Sequence, residues 1–104
     1  MSFNGREDHS ITLAEATAWT ANYRNAEPNE VLSHFYGRNA LMAILNQPNC
    51  MGIRIYNAIN PDGEKCLVLV GAKADESDMY TGVLAERGMK CPPMCPPGSP
   101  LNGL

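Results

Sequence analysis

Residues 51–72 read MGIRIYNAINPDGEKCLVLVGA and contain the pattern that decides the fold. Along residues 51–59, isoleucines alternate with other side chains, which is typical of a half-buried strand. The four residues 60–63, Asn-Pro-Asp-Gly, then suit a tight turn at every position. Residues 66–70 form a second, wholly apolar run. The stretch therefore predicts an antiparallel β-hairpin.

The turn chemistry also predicts the register of this hairpin. A three-residue loop with a bulge at Gly63 places Tyr56 opposite Val68 and Ile55 opposite Leu69. The second strand is apolar on both faces, so it requires cover on both sides or a further neighbour. Two sources remain open, which are residues 79–84 as a third strand and a second copy of the chain.

Helical patterns precede the hairpin. Thr12 followed by Glu15 is the signature of a capping box, and apolar residues then recur at intervals of three and four up to residue 26, with Trp19 as the expected core anchor. Pro28 suits the first turn of a second, short helix, and residues 39–45 predict a third. Residues 83–87 predict a single helical turn.

Length and composition indicate an α+β domain with N-terminal helices packed on the central hairpin. The chain has 104 residues, of which 44% are hydrophobic and 18% charged, as in ordinary globular proteins. We expect a flexible N-terminal arm at 1–10, a single α+β domain at 11–90, and a Pro/Gly-rich tail with cysteines at 91–104, without regular structure from residue 96 onward.

Charge and apolar patterning bear on the classes of partner. The net charge of −3 gives no positive field to attract nucleic acid or anionic lipid. The longest apolar run is far short of the roughly 18 residues of a spanning helix, and residues 1–10 show no signal-peptide pattern. The sequence therefore predicts a cytoplasmic protein that binds neither nucleic acid nor membrane.

The tail contains Cys91 and Cys95 in the stretch CPPMC, and four interpretations compete for it. A local disulfide is disfavoured, because an extended polyproline run would separate the two Cα atoms by about 12 Å. A zinc site or a thiol-redox pair would use these cysteines with Cys50, Cys66 or a histidine. The alternative without a functional role is a stiff tail whose thiols pack as small apolar groups. Cys66 lies inside a predicted strand and is also expected to pack rather than react.

Three further side chains are candidate binding residues. Arg54 and Tyr56 project from one face of the first strand and together suit a carboxylate or a partner's backbone. The alternative is an outward sheet face that the tail partly covers. His34 is a candidate base or ligand, or else a half-buried histidine satisfied by a carbonyl group. The acidic residues of 75–78 lack the order of a calcium loop, so we expect them to lie in a solvated loop.

The motifs GIRIY at 52–56, LVLVG at 67–71 and CPPMC at 91–95 together resemble a group of small uncharacterised bacterial proteins of about this length. The resemblance implies one compact bacterial domain. It implies no activity, cofactor or catalytic residue.

The hypothesis favoured by these patterns is a non-enzymatic interaction module without a cofactor. Its partner would be a second copy of the chain, forming a homodimer, or another protein, and the contact would use the hairpin edge or the face carrying Arg54 and Tyr56. The alternative is a zinc-binding or thiol-redox protein. A small-molecule enzyme with His34 as base is the third hypothesis.

Overall fold

The structure is a computed structural model that describes residues 2–103. It confirms the α+β class: two helices accompany antiparallel sheets. In chain order the elements are α1 (Leu13–Ala26), β1 (Ser33–Phe35), α2 (Arg38–Leu45), β2 (Gly52–Ile59), β3 (Lys65–Ala72), β4 (Leu84–Ala85) and β5 (Met89–Cys91). Met1 and Leu104, the outermost residues of the predicted arm and tail, lie outside the described residues.

The chain divides into two compact units. Unit 1 comprises residues 1–7 and 36–88, and unit 2 comprises residues 8–35 and 89–104. These boundaries differ from the predicted division at residues 10 and 90. The predicted hairpin belongs to unit 1, whereas the predicted first helix and the tail belong to unit 2.

In unit 1, the hairpin has the predicted register. β2 and β3 pair with Tyr56 opposite Val68 and Ile55 opposite Leu69. At the turn, the Asn60 N–H donates to the Glu64 carbonyl at 2.9 Å, and the Gly63 N–H donates to the Asn60 carbonyl at the same distance. Gly63 has φ +82°, which only glycine adopts without steric cost, so the bulge lies where the turn chemistry predicts it.

Within unit 1, β3 has a second neighbouring strand and is contacted by a helix. β4 pairs along β3, with Leu84 opposite Val70, so a third strand exists but lies at the end of the predicted 79–84 segment. The predicted helical turn at 83–87 is wrong, because Leu84 and Ala85 pair with β3 and Arg87 has φ +65°. α2 contacts both β2 and β3 and buries Ile44 completely.

In unit 2, α1 begins as predicted. The Thr12 side chain accepts from the Glu15 N–H at 3.1 Å, and the Glu15 carboxylate accepts from the Thr12 N–H at 3.1 Å. The expectation that Trp19 anchors the core is wrong, because this side chain is 55% exposed and α1 contains no buried residue. Trp19 and Tyr23, two residues of the apolar stripe of α1, line an open cavity instead.

The second predicted helix, beginning at Pro28, is wrong. After a turn at residues 28–30 the chain extends into β1, which pairs with β5 so that Ser33 lies opposite Cys91 and Phe35 opposite Met89. The Leu32 N–H continues this ladder by donating to the Cys91 carbonyl at 2.7 Å. A partner this far along the chain is not visible in a local pattern, which explains the error.

Candidate functional site

Arg54 and Tyr56 bind the same carboxylate, that of Asp78. Arg54 donates through Nη1 to Asp78 Oδ1, and the Tyr56 hydroxyl donates to Asp78 Oδ2. All three side chains belong to unit 1, and Asp78 is positioned beside β3 by a bridge to Ala72. The groups that the sequence offers to a carboxylate are therefore engaged by a carboxylate of the chain itself.

These contacts shift the pKa values of all three groups. Hydrogen bonds from Tyr56 and then from Arg54 lower the pKa of Asp78, because they stabilise its charged form. The same hydrogen bond raises the pKa of Tyr56, and contact with Asp78 raises the pKa of Arg54. The cluster is thus an ionised carboxylate held by a cation and a neutral phenol.

Further contacts hold the Arg54 guanidinium in place. Nη1 also donates to the Glu76 carbonyl at 2.9 Å, and the guanidinium carbon lies 5.6 Å from the centre of the Phe3 ring. Phe3 in turn donates its N–H to the Ala74 carbonyl at 2.9 Å, so part of the predicted arm contacts the loop after β3. Of the acidic residues predicted to lie in a solvated loop, Asp75 is exposed, whereas Asp78 is half-buried and accepts both hydrogen bonds of this cluster. In the sequence, alternation places Arg54 and Tyr56 on one face of the strand. No other pattern indicates that they contact Asp78.

β2 forms one edge of its sheet. Among the strands within residues 2–103 it pairs with β3 alone. Because hydrogen-bonded pairs alternate along an antiparallel ladder and Asn60 with Glu64 forms one, the backbone groups of Ile55, Asn57 and Ile59 point away from β3. The side chains of Ile55 and Ile59 are 57% and 71% exposed.

This edge lacks the usual protection against pairing. Natural edge strands are shielded by proline, by a bulge or by charges that face outward. β2 contains no proline, and its ladder with β3 pairs every residue from Gly52 to Ile59 without a bulge. Its one charged side chain, Arg54, lies on the opposite face from Ile55 and is occupied by Asp78.

His34 lies in β1 of unit 2 and is half-buried. Its Nε2 atom is buried and has no hydrogen-bond partner among the described residues. The histidine lines two cavities of unit 2. The larger, of about 680 Å³, is bounded mainly by apolar side chains of β1, β5 and the CPPMC stretch, including Phe35, Met89, Met94 and Cys95.

The smaller cavity, of about 350 Å³, lies along α1 and is named here the α1 cavity. Its walls combine two aromatic side chains and a cation from α1 with apolar residues and the imidazole. The residues that define it are Trp19, Tyr23, Arg24, Leu32, His34 and Leu101. No sequence pattern predicts this cavity. The i, i+4 spacing of Trp19 and Tyr23 indicates only that both rings lie on one face of the helix.

Cys91 and Cys95 form a disulfide, with their Cα atoms 4.7 Å apart. The predicted extended conformation of this stretch is wrong. The Cys91–Pro92 and Pro92–Pro93 peptide bonds are cis, and the chain turns back so that the Met94 N–H donates to the Lys90 carbonyl at 2.8 Å. Cys91 is fully buried, whereas Cys95 is half-buried and borders the larger cavity.

The described part of the chain offers no set of ligands for the metal ion of the zinc hypothesis. Within residues 2–103, no three histidine, cysteine or acidic side chains cluster in a way that could hold a metal ion. With Cys91 bonded to Cys95, neither sulfur is the thiolate that zinc requires. Cys50 and Cys66 lie in unit 1 outside any disulfide, and the Cys50 thiol donates to the Gly52 carbonyl at 3.2 Å.

No helical stretch between residues 2 and 103 combines the length and the apolarity needed to cross a bilayer. Comparison of the chain with protein-family models, with curated proteins and with solved structures found no match. A function for this chain therefore has to rest on its own residues and their geometry.

Proposed function

We propose that the protein is a self-associating module in which β2 pairs antiparallel with β2 of a second copy. The observation that carries the proposal is the eight-residue edge strand with exposed Ile55 and Ile59 and outward-pointing backbone groups. A second copy would provide hydrogen-bond partners for those backbone groups and would bury part of the surface of both isoleucines.

The register of the pairing follows from the sequence of the edge. A two-fold axis at Asn57 places Ile55 of one copy opposite Ile59 of the other, and the reverse, so the two apolar pairs are equivalent. The two Asn57 side chains then meet at the axis, where amides can hydrogen-bond to each other. The edge is self-complementary in this register.

Charge does not oppose the pairing. Within β2 the one charged residue is Arg54, which is already bound to Asp78 on the other face of the strand. A second copy therefore brings no like charge against the isoleucine pairs. The net charge of −3 per chain opposes association only weakly at physiological salt, because exposed charges are screened within about 8 Å.

Light scattering of the protein at increasing concentration tests the proposal, with a dimer as the expected result. In the paired edge, Ile55→Lys and Ile59→Lys each place a charged group against an isoleucine of the second copy, so each variant is expected to remain monomeric. Tyr80→Lys is the matched control, because Tyr80 is an equally exposed apolar residue of unit 1 outside the edge, at 74% exposure. A wild-type monomer at high micromolar concentration would contradict the proposal.

Cross-linking tests the register. In a hydrogen-bonded pair the two Cα atoms are about 5.5 Å apart, within the range that a disulfide accepts. Asn57→Cys in a Cys50→Ser background is therefore expected to form a covalent dimer on mild oxidation, whereas Tyr80→Cys in the same background is expected to stay monomeric. Equal cross-linking of both variants would show random collision instead of a defined edge.

A further inference from the structure

We infer that the disulfide between Cys91 and Cys95 exchanges with cysteine thiols in an apolar segment of another protein, which binds in the larger cavity of unit 2. The cavity adjoins the disulfide, because Cys95 forms part of its wall. Its volume of about 680 Å³ falls within the range of sites that hold small ligands, which leaves room for a cysteine and the side chains beside it. A bond that can exchange and a surface that can bind therefore lie side by side in one unit.

The two cysteines of the disulfide differ in their access to a partner. Cys91 is 0% exposed, whereas Cys95 is half-buried and borders the cavity. A thiolate has to reach the sulfur atom that it attacks, so the difference in burial makes Cys95 the residue open to attack. Cys91, whose Cα atom lies 4.7 Å from that of Cys95, is then the group that leaves.

The β1–β5 ladder places an apolar wall beside the disulfide. Phe35 lies opposite Met89, and alternation along β5 directs the side chains of Met89 and Cys91 to the same face. Phe35, Met89 and Met94 line the cavity and are 65%, 53% and 59% exposed. Because methionine side chains adapt to apolar surfaces of varied shape, this wall can bury the residues that flank a partner's cysteine.

The composition of the wall disfavours charged thiols. Within residues 2–103, no aspartate, glutamate, lysine or arginine side chain lines the cavity. A charged group that entered it would lose hydration without gaining an ion pair. An apolar thiol is therefore favoured over a charged one.

The exchange consists of two substitutions at sulfur. A partner thiolate attacks the Cys95 sulfur and forms a mixed disulfide with it, while the Cys91–Cys95 bond breaks and its electron pair goes to the Cys91 sulfur. That sulfur takes up the proton that the partner thiol released, because burial favours the neutral thiol. A second partner thiol then attacks the partner sulfur of the mixed disulfide and releases Cys95 as a thiol. Two partner thiols are thereby oxidised to one disulfide, and the Cys91–Cys95 disulfide is reduced to two thiols.

Exchange rates with two uncharged peptides test the inference. The probes are acetyl-Leu-Cys-Leu-amide and acetyl-Gly-Cys-Gly-amide, whose thiols have flanking residues that differ in apolar surface but not in charge. We expect the leucine peptide to open the Cys91–Cys95 disulfide about tenfold faster than the glycine peptide, because the wall buries the leucine side chains. With the small disulfide of mercaptoethanol, which has no cavity, the two peptides are expected to react at equal rates.

Mass spectrometry reads the state of the disulfide separately from the other thiols. N-ethylmaleimide stops the reaction, and trypsin cleavage after Lys90 gives a fragment, 91–104, that contains Cys91 and Cys95 but neither Cys50 nor Cys66. Fragmentation of the mixed disulfide is expected to place the peptide on Cys95 and the maleimide on Cys91.

Variants of exposed apolar residues assign the binding surface. Phe35→Ser is expected to slow the leucine peptide and leave the glycine peptide unchanged, which lowers the preference to about threefold. Leu13→Ser is the matched control, because Leu13 is also 65% exposed and belongs to unit 2 but does not line the cavity. This control is expected to retain the full preference. Circular dichroism shows whether each variant is folded, and Met94→Ser replaces Phe35→Ser if the latter unfolds.

Four outcomes would overturn the inference. These are a disulfide that stays closed in millimolar peptide, equal rates for the two peptides, equal effects of Phe35→Ser and Leu13→Ser, and a peptide adduct mainly on Cys91.

Discussion

Tyr56 donates its hydroxyl hydrogen to Oδ2 of Asp78, a residue 22 positions further along the chain, while Oδ1 of the same carboxylate binds Arg54. The contact links the outer face of β2 to the loop that follows β3. Since Asp78 can accept both hydrogen bonds fully only when ionised, the link depends on pH.

The first prediction concerns acid. The folded-state pKa of Asp78 lies below its ordinary value of 3.8, so the cluster contributes stability above that value and loses it as the pH falls through the lowered pKa. Asp78→Asn is therefore expected to lower the free energy of unfolding near neutral pH, and the difference from the wild type is expected to vanish in strong acid. Urea unfolding over this pH range measures both.

Asp62→Asn is the control for this prediction, because Asp62 is an exposed aspartate in the hairpin turn. If Asp62→Asn reproduced the same pH-dependent loss, the effect would belong to general charge and not to the cluster.

At alkaline pH, the effect of Tyr56 on the free energy of unfolding runs in the opposite direction, because its pKa is raised. Its contribution is present below 10.0 and is lost as the pH rises through the raised value.

The second prediction concerns Gly88, which lies against the ring of Tyr36. A Cβ atom at residue 88 would come within 2.7 Å of the Tyr36 Cζ atom. The ring is tethered on its far side, because its hydroxyl donates to the Leu67 carbonyl at 3.1 Å. Gly88→Ala is therefore expected to lower the free energy of unfolding by about 1–3 kcal/mol, measured by urea titration.

Gly52→Ala is the matched variant, because a Cβ atom at Gly52 meets nothing within 4 Å and Gly52 is not among the residues with positive φ. Its effect is expected to stay within about 0.5 kcal/mol. Equal losses for the two variants would show that Tyr36 yields to the added methyl group.

The third prediction concerns the disulfide between Cys91 and Cys95. The bond closes a short loop beside the β1–β5 ladder, and loop-closure entropy assigns about 2 kcal/mol to a ring of this size. Reduction by a dithiol, or replacement of both cysteines by serine, is expected to speed hydrogen exchange at the Leu32 amide, which donates to the Cys91 carbonyl.

The Met79 amide provides the internal control, because it donates to the Gly71 carbonyl in unit 1 and is expected to keep its exchange rate. Unchanged exchange at Leu32 after complete reduction would mean that the ladder holds without the bond. The same samples also bear on the thiol-redox alternative, since they show whether a dithiol opens the bond under native conditions.

Local patterns were sufficient for the elements whose determinants lie close together in sequence. The capping box of Thr12 and Glu15 specifies the start of α1 with contacts three residues apart, and the turn at 60–63 specifies the register of β2 and β3. Alternation alone places Arg54 and Tyr56 on one face of β2, and in the structure both contact the Asp78 carboxylate.

The errors fall where the determinant is distant in sequence. Ser33 lies in a strand because Cys91 lies opposite it, and nothing near residue 33 encodes that partner. Trp19 was assigned to the core from its spacing, but spacing gives the face of a helix and not what that face meets. The α1 cavity and the partner of Asp78 depend on the same long-range placement.

The pairing of Phe35 with Met89 has a topological consequence. The first segment of unit 2 ends at Phe35 and its second segment begins at Met89, so the chain leaves this unit and returns to it at one register position. A tight hairpin turn suffices to join two such antiparallel neighbours. In its path through unit 2 the chain is therefore continuous except for residues 36–88, which are inserted in the sequence between two paired residues of that unit.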